Sequence, residues 1–252
     1  MDFIDKWRDS KYESEVSAPS LAFCQWNAKK IAIPGMLISM RQAEAAGWQN
    51  GAPGWEKRKF SYESGAEEEV LACKNPILAV LRVHKLTLVF RDAHNGHKKG
   101  DPKPDHEPYD KRLHIPRRTY TVGFLAPNGQ GGYRLLHTEP IAWTPKGVAG
   151  AKFSLECYGP FRQAIRAIFG ADVPGFIFAL RLVGQPWQLP EGTKIQVPAL
   201  VDGVPHDKAA FQPLYVGDET AATLALWYRD LYDEPETGIE PQQTLEEDEI
   251  PY

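Results

Sequence analysis

Ile77-Leu-Ala-Val-Leu-Arg-Val-His-Lys-Leu-Thr-Leu-Val-Phe90 reads as a long β-strand. β-Branched and aromatic side chains lose rotamer freedom against a helical turn but pack well on a pleated surface. A chain with such a run is committed to a sheet, and shorter strand patterns lie on both sides of it. Residues 21–26, 31–33, 36–40 and 56–62 precede it. Residues 117–125, 133–137 and 149–157 follow, and 176–183 and 194–200 come last. Glycine and proline number 21 each, a density that breaks the chain often and argues against long helices.

Helical signals are few. Residues 160–169 carry Pro160 in the first turn, Phe161, Ile165, Ile168 and Phe169 on one face, and Gly170 after the end, which together delimit a helix. A short helix over 41–46 follows Ser39 and stops at Gly47. Residues 220–232 form an amphipathic helix with Leu224, Trp227, Tyr228 and Leu231 on one side. Strands, a helix and then two more strands is the order of an OB-fold, a Greek-key barrel with its helix between the third and fourth strands. The expected fold is therefore β-rich α+β: an OB-fold-like barrel or a related mixed β barrel with an inserted helix, plus a disordered acidic C-terminal tail. Residues 1–76 are expected as an N-terminal β-rich extension or subdomain, 77–232 as the OB-like body with its closing helix, and 233–252 as the tail.

Cys24, Cys73 and Cys157 are widely spaced and odd in number. They make neither a disulfide framework nor a zinc pattern, and they fit small core residues in a reducing cytosol. The first ten residues are charged throughout and lack a signal-peptide apolar region, and no stretch is long enough to span a membrane. Cytoplasmic localisation without a membrane partner is expected.

Charge divides the chain unevenly. Residues 233–252 hold eight acids and no Lys or Arg, which leaves 25 acids in the body against all 29 basic residues. A mildly basic body with an acidic tether suits a nucleic-acid binder that carries an interaction arm. The tether ends in Leu245-Glu-Glu-Asp-Glu-Ile-Pro-Tyr252. In such a hook Asp248 and Glu249 approach a basic rim, while Ile250 and Tyr252 fill a small apolar pocket. Pro251 fixes one backbone angle and lowers the ordering cost.

This tip resembles the C-terminal tip of the bacterial single-stranded DNA-binding protein family, in which an acidic run ends in Asp-Ile-Pro-Phe. Glu249-Ile250-Pro251-Tyr252 stands at that place, and the resemblance is confined to residues 245–252. It implies single-stranded DNA binding, association with the nucleoid, and recruitment of replication, recombination or repair enzymes through Asp248, Glu249, Ile250, Pro251 and Tyr252. Members of that family commonly assemble as oligomers, which leaves a homo-oligomer open.

The best candidate for gripping DNA is the stretch 82–118, with ten Lys/Arg against five acids and five of the seven histidines. Cations track phosphates, and flat rings stack on unpaired bases. The candidate DNA-binding residues are Arg82, Lys85, Arg91, Lys98, Lys99, Lys111, Arg112, Arg117 and Arg118, with the rings of Tyr109, Tyr120 and Phe124. Trp55 and Lys57 come from a second cluster, around Trp48 and 57–59. Arg118, Tyr120 and Phe124 share one face of a strand; that face is either the ligand groove or the core. No cofactor and no catalytic residue is expected, so the reading is non-enzymatic. Two alternatives stand beside it. One is a metal-dependent nuclease using Asp92, His94, His97 and His106. The other is a docking scaffold that does not itself bind DNA.

Overall fold

The computed structural model describes residues 21–28, 35–49, 51–61, 65–104 and 106–232. Residues 1–20, the expected 31–33 strand and the expected acidic tail with its tip at 248–252 lie outside these residues. In chain order the elements are β1 (Ala22–Asn27), β2 (Gly35–Ser39), α1 (Met40–Ala45), β3 (Glu56–Ser61), β4 (Glu67–Cys73), β5 (Ile77–Val83) and β6 (Thr87–Phe90). There follow β7 (His114–Arg117), β8 (Tyr120–Pro127), β9 (Tyr133–Leu135), β10 (Ile141–Trp143), α2 (Gly147–Lys152), a π-helical segment Phe153–Tyr158 and α3 (Gly159–Phe169). The last are β11 (Leu180–Gln188), β12 (Lys194–Leu200), α4 (Lys208–Phe211) and α5 (Asp218–Tyr232).

Ten strands make one mixed sheet in the order β12-β11-β5-β8-β10-β1-β2-β4-β3, with β9 on β8. Only the β1–β10 pair is parallel among the ladders of this sheet. The β-rich α+β class stands, but the sheet does not close into a barrel, which corrects the OB-like expectation. Strands on both sides of residue 76 belong to it, and it runs out at β3, whose exposed Lys57, Arg58 and Lys59 blunt that edge against further pairing. The other end curls back. The N–H of Gln196 in β12 donates to the carbonyl of Ala28 at 2.8 Å, and the Trp26 indole donates to the carbonyl of Gln196 at 3.0 Å. These bonds bring β12 to the end of β1 without a ladder between them.

The register aligns apolar rows on the inner face. Cys24, Trp143 and Tyr120 form one row, Ile141, Val122 and Val80 a second, and Leu180, Leu78 and Phe124 a third. All nine side chains are buried. Phe153 enters this core from the π-helical segment, its ring 4.4 Å from Trp143 and 4.9 Å from Tyr120. The opposite face of β8 takes α5. Thr121 Oγ1 lies 2.5 Å from the Tyr232 hydroxyl. A Cβ at Gly123 would stand 2.9 Å from Leu135 and 3.0 Å from Leu224, so the missing side chain is what lets the helix approach.

Two expected strands are corrected. The 77–90 run is not continuous: a bulge between Val80 and Arg82 and a break at 84–86 divide it, and β6 leaves the sheet to pair with β7 in a separate ribbon. Residues 149–157 are helical. Their apolar residues alternate, but Ala149, Phe153 and Cys157 also recur every four positions, and it is these that are buried, while Leu155 stays 53% exposed.

Candidate functional site

The β6–β7 ribbon carries most of the basic stretch. Thr87 pairs with Arg117 and Phe90 with His114. The connection between them folds back through backbone bonds. The Phe90 N–H donates to Asp101, the Gly100 N–H to Phe90, and the Lys103 N–H to Leu88, each at 2.8–2.9 Å. The Phe90 ring is the ribbon's small core, stacked on His97 at 4.5 Å and packed on His114 at 4.9 Å. His114 is itself buried, accepting the Asp110 N–H at Nδ1 and facing Glu107 with Nε2 at 3.4 Å. These two histidines pack the ribbon. Among the described residues no group of three His, Cys, Asp or Glu is arranged to hold a metal ion.

Lys85, Arg91, Lys98, Lys99, Lys111 and Arg112 are exposed on and around the ribbon, as is Tyr109 at 46%. The nearby acids are partly spent on the backbone: Asp101 accepts the Lys98 N–H at 2.7 Å, and Asp110 accepts the Arg112 N–H at 2.7 Å. Lys99 reaches Asp92 only at 3.8 Å.

Three of the candidate DNA-binding residues are corrected. Tyr120 and Phe124 are fully buried in the core rows and have no face left for a base. Arg82 is 4% exposed under α5, its guanidinium 4.3 Å from the Tyr232 ring. The bulge puts Arg82 opposite Thr121, on the helix side of the sheet. Trp55 and Lys57 do come together, with Trp48, Met40 and Glu44, around a cavity of about 340 Å³. Trp55 also packs edge-on against Trp48 at 4.7 Å and Phe124 at 5.0 Å. The charge beside them is largely balanced: Arg58 pairs with Glu56, and Lys59 lies across the ladder from Glu69.

A pair of threonines joins the base of the ribbon to the sheet. Thr119 Oγ1 and Thr144 Oγ1 are 2.8 Å apart, which pins the segment leaving β7 to the segment leaving β10. Two residues from each threonine stand Arg117 and Lys146. Arg117 lies over Gly100, where a Cβ would be 3.2 Å from its Nη1, so Lys99 adjoins it. The pKa of exposed Lys146 is lowered, by partial desolvation first and then by the charges of Arg117 and Lys99. The Nε atoms of Arg117 and Arg118 are shielded from solvent and have no acceptor among the described residues. Lys146 was not singled out in the sequence; its only signal there is a lone lysine in the Pro145-Lys146-Gly147 turn.

A family model described as a domain of unknown function (DUF5895) matches residues 19–173. The match covers more than half of the chain, takes in the whole ribbon, and stops before β11. No curated protein and no solved structure matches.

Proposed function

The chain belongs to the DUF5895 family, and from that premise we propose that it is a non-enzymatic single-stranded DNA-binding protein of the cytoplasm, associated with the nucleoid. The observation that carries the reading is the basic ribbon. Six cations project from it and its flanks, the nearest carboxylates are engaged with backbone N–H groups or lie at the limit of pairing distance, and Tyr109 offers an exposed ring. Phosphate contacts from such a surface supply affinity, and stacking on a ring is sequence-tolerant, worth about 1–3 kcal/mol per base. The tail tip, Asp248 to Tyr252, recruits replication, recombination or repair enzymes in this reading, in keeping with its resemblance to the single-stranded DNA-binding protein family.

A gel-shift titration with labelled single- and double-stranded oligonucleotides across salt tests this. Single strands should bind more tightly, and the affinity should fall linearly on a log–log plot against salt. Replacing Lys111 and Arg112 together by Gln should make that slope shallower by about 2. No single-strand binding at low salt would overturn the reading. A chain ending at Glu249 should keep its DNA affinity and lose capture of the recruited enzymes.

A further inference from the structure

We propose that the cavity beside α1, lined by Trp48 and Trp55, is a binding site for one unstacked nucleobase. Its volume of about 340 Å³ is that of a small-ligand site. The lining grades outward from apolar to charged. Ala43, Ala52 and Leu71 are buried, the two indoles are half-buried, and Glu44 and Lys57 are exposed. The indoles lie with centroids 4.7 Å apart and planes at 67°. Both are braced from behind, Trp48 by the stacked ring of His137 and Trp55 by the edge-on ring of Phe124. The charged pair comes from two elements. Glu44 follows Ala43 on α1, while Lys57 of β3 is the ladder partner of Leu71 in β4 and shares its face of the sheet. Neither charge has an ion-pair partner among the described residues.

These residues select the ligand by exclusion. Lys57 repels a cation and Glu44 repels an anion. A neutral molecule whose edge carries both an acceptor and a donor satisfies the ammonium and the carboxylate together. Two indoles over an apolar floor favour a flat ring with exposed π-faces. A nucleobase meets all three demands, with a π-face for stacking and a hydrogen-bonding edge of carbonyl, amino and ring N–H groups. In a single strand the base is already unpaired, so turning it into the cavity costs little. That source rests on the nucleic-acid reading proposed above. A free nucleoside has the same chemistry, so the site itself does not depend on it.

The test uses the full chain and its Glu44→Gln, Lys57→Gln, Trp55→Phe and Lys194→Gln variants. Glu44, Lys57 and Lys194 are exposed, so these changes leave the core intact, and Trp55→Phe keeps an aromatic wall. Calorimetric titrations use deoxyguanosine, N-methylpyridinium and benzoate, and a fluorescence titration uses an oligothymidylate with one thymine replaced by aminopurine. Wild type should bind deoxyguanosine and neither ion. Lys57→Gln should bind deoxyguanosine about tenfold more weakly and gain N-methylpyridinium. Glu44→Gln should gain benzoate, and Lys194→Gln should match wild type. Aminopurine emission should fall as the oligonucleotide binds wild type, through stacking on indole, and fall less with Trp55→Phe. Tighter binding of either ion than of deoxyguanosine by wild type would overturn the site. If the oligonucleotide binds but deoxyguanosine does not, and emission ignores Trp55 and Lys57, the site is wrong and the DNA reading survives. If deoxyguanosine binds with the expected response to Lys57 and the oligonucleotide does not bind, the site stands with a free nucleoside as its source and the DNA reading fails. Binding of neither overturns both.

Discussion

His137 shows how far one buried side chain can couple this molecule to pH. Its ring is stacked between Trp48 at 5.3 Å and Trp227 at 5.6 Å. Nε2 accepts the N–H of Phe124 at 2.8 Å, and Nδ1 donates to the carbonyl of Glu139 at 2.6 Å. That pattern requires the neutral ring, because a second proton would face the Phe124 N–H. Burial holds the pKa down to about 4, against the ordinary 6.5. The unfolded chain therefore binds the extra proton between these values, and stability falls as pH drops from about 6.5 towards 4. By pH 4.5 the loss from this residue is about 2–3 kcal/mol. Urea unfolding at pH 7 and 4.5 checks it: the stability gap between wild type and His137→Gln should narrow at the lower pH, since other groups titrate alike in both. Other single residues differ in how openly the sequence declares them. The cysteines read as core, and all three are buried with their thiols pushed up, Cys73 and Cys157 to about 11. Tyr120 and Phe124 fit a groove and a core equally in one dimension; the rings of Phe153 and Tyr158 over Tyr120, and of Trp48, Trp55 and His137 over Phe124, decide it.

At the scale of elements, legibility follows from how many local signals agree. α3 begins at Gly159-Pro160 and stops before Gly170, whose φ of 111° suits glycine, and Phe161, Ile165 and Phe169 are buried as its periodicity requires. α1 is likewise capped as its sequence suggests, with Ser39 Oγ accepting the Gln42 N–H at 3.3 Å. Residues 149–157 satisfy two periods at once, and continuity with α3 selects the helix. A pair of substitutions separates the two geometries. In a strand Phe153 and Leu155 would share one face, whereas here Phe153 is in the core and Leu155 is in water. Phe153→Ala should cost about 3–5 kcal/mol in chemical denaturation, while Leu155→Gln should stay within about 0.5 kcal/mol of wild type. The 77–90 run has the opposite problem: its composition is uniformly strand-like, and the break comes from a bulge and a change of pairing partner that only the tertiary ladder imposes.

For the whole molecule, the sheet is neither flat nor closed. Its strand-rich class was evident from composition and pattern. Its openness was not, because closure depends on which edges meet, and here β12 meets the end of β1 through the bonds of Gln196 with Trp26 and Ala28. Trp26→Phe keeps the aromatic packing and removes one of these bonds, leaving a carbonyl to be satisfied. It should lower stability by about 1 kcal/mol in urea unfolding. Near-UV circular dichroism should confirm that the rest of the core is retained.

The same strand sets the timetable of folding. β1 pairs with β2 nearby, but its parallel partner is β10, where Ala22 meets Ile141, and its bond to Gln196 spans 170 positions. A ribosome adding about 5–20 residues per second needs roughly 10–30 s to deliver that last partner. Through this interval Cys24 and Trp26 lack their final cover, while β2, β4 and β3 can already pair among themselves. Long-range pairing of this kind is slow and exposes apolar surface to other chains. During synthesis the complete pairing of β1 therefore waits for residues 141–143 and 196 to emerge.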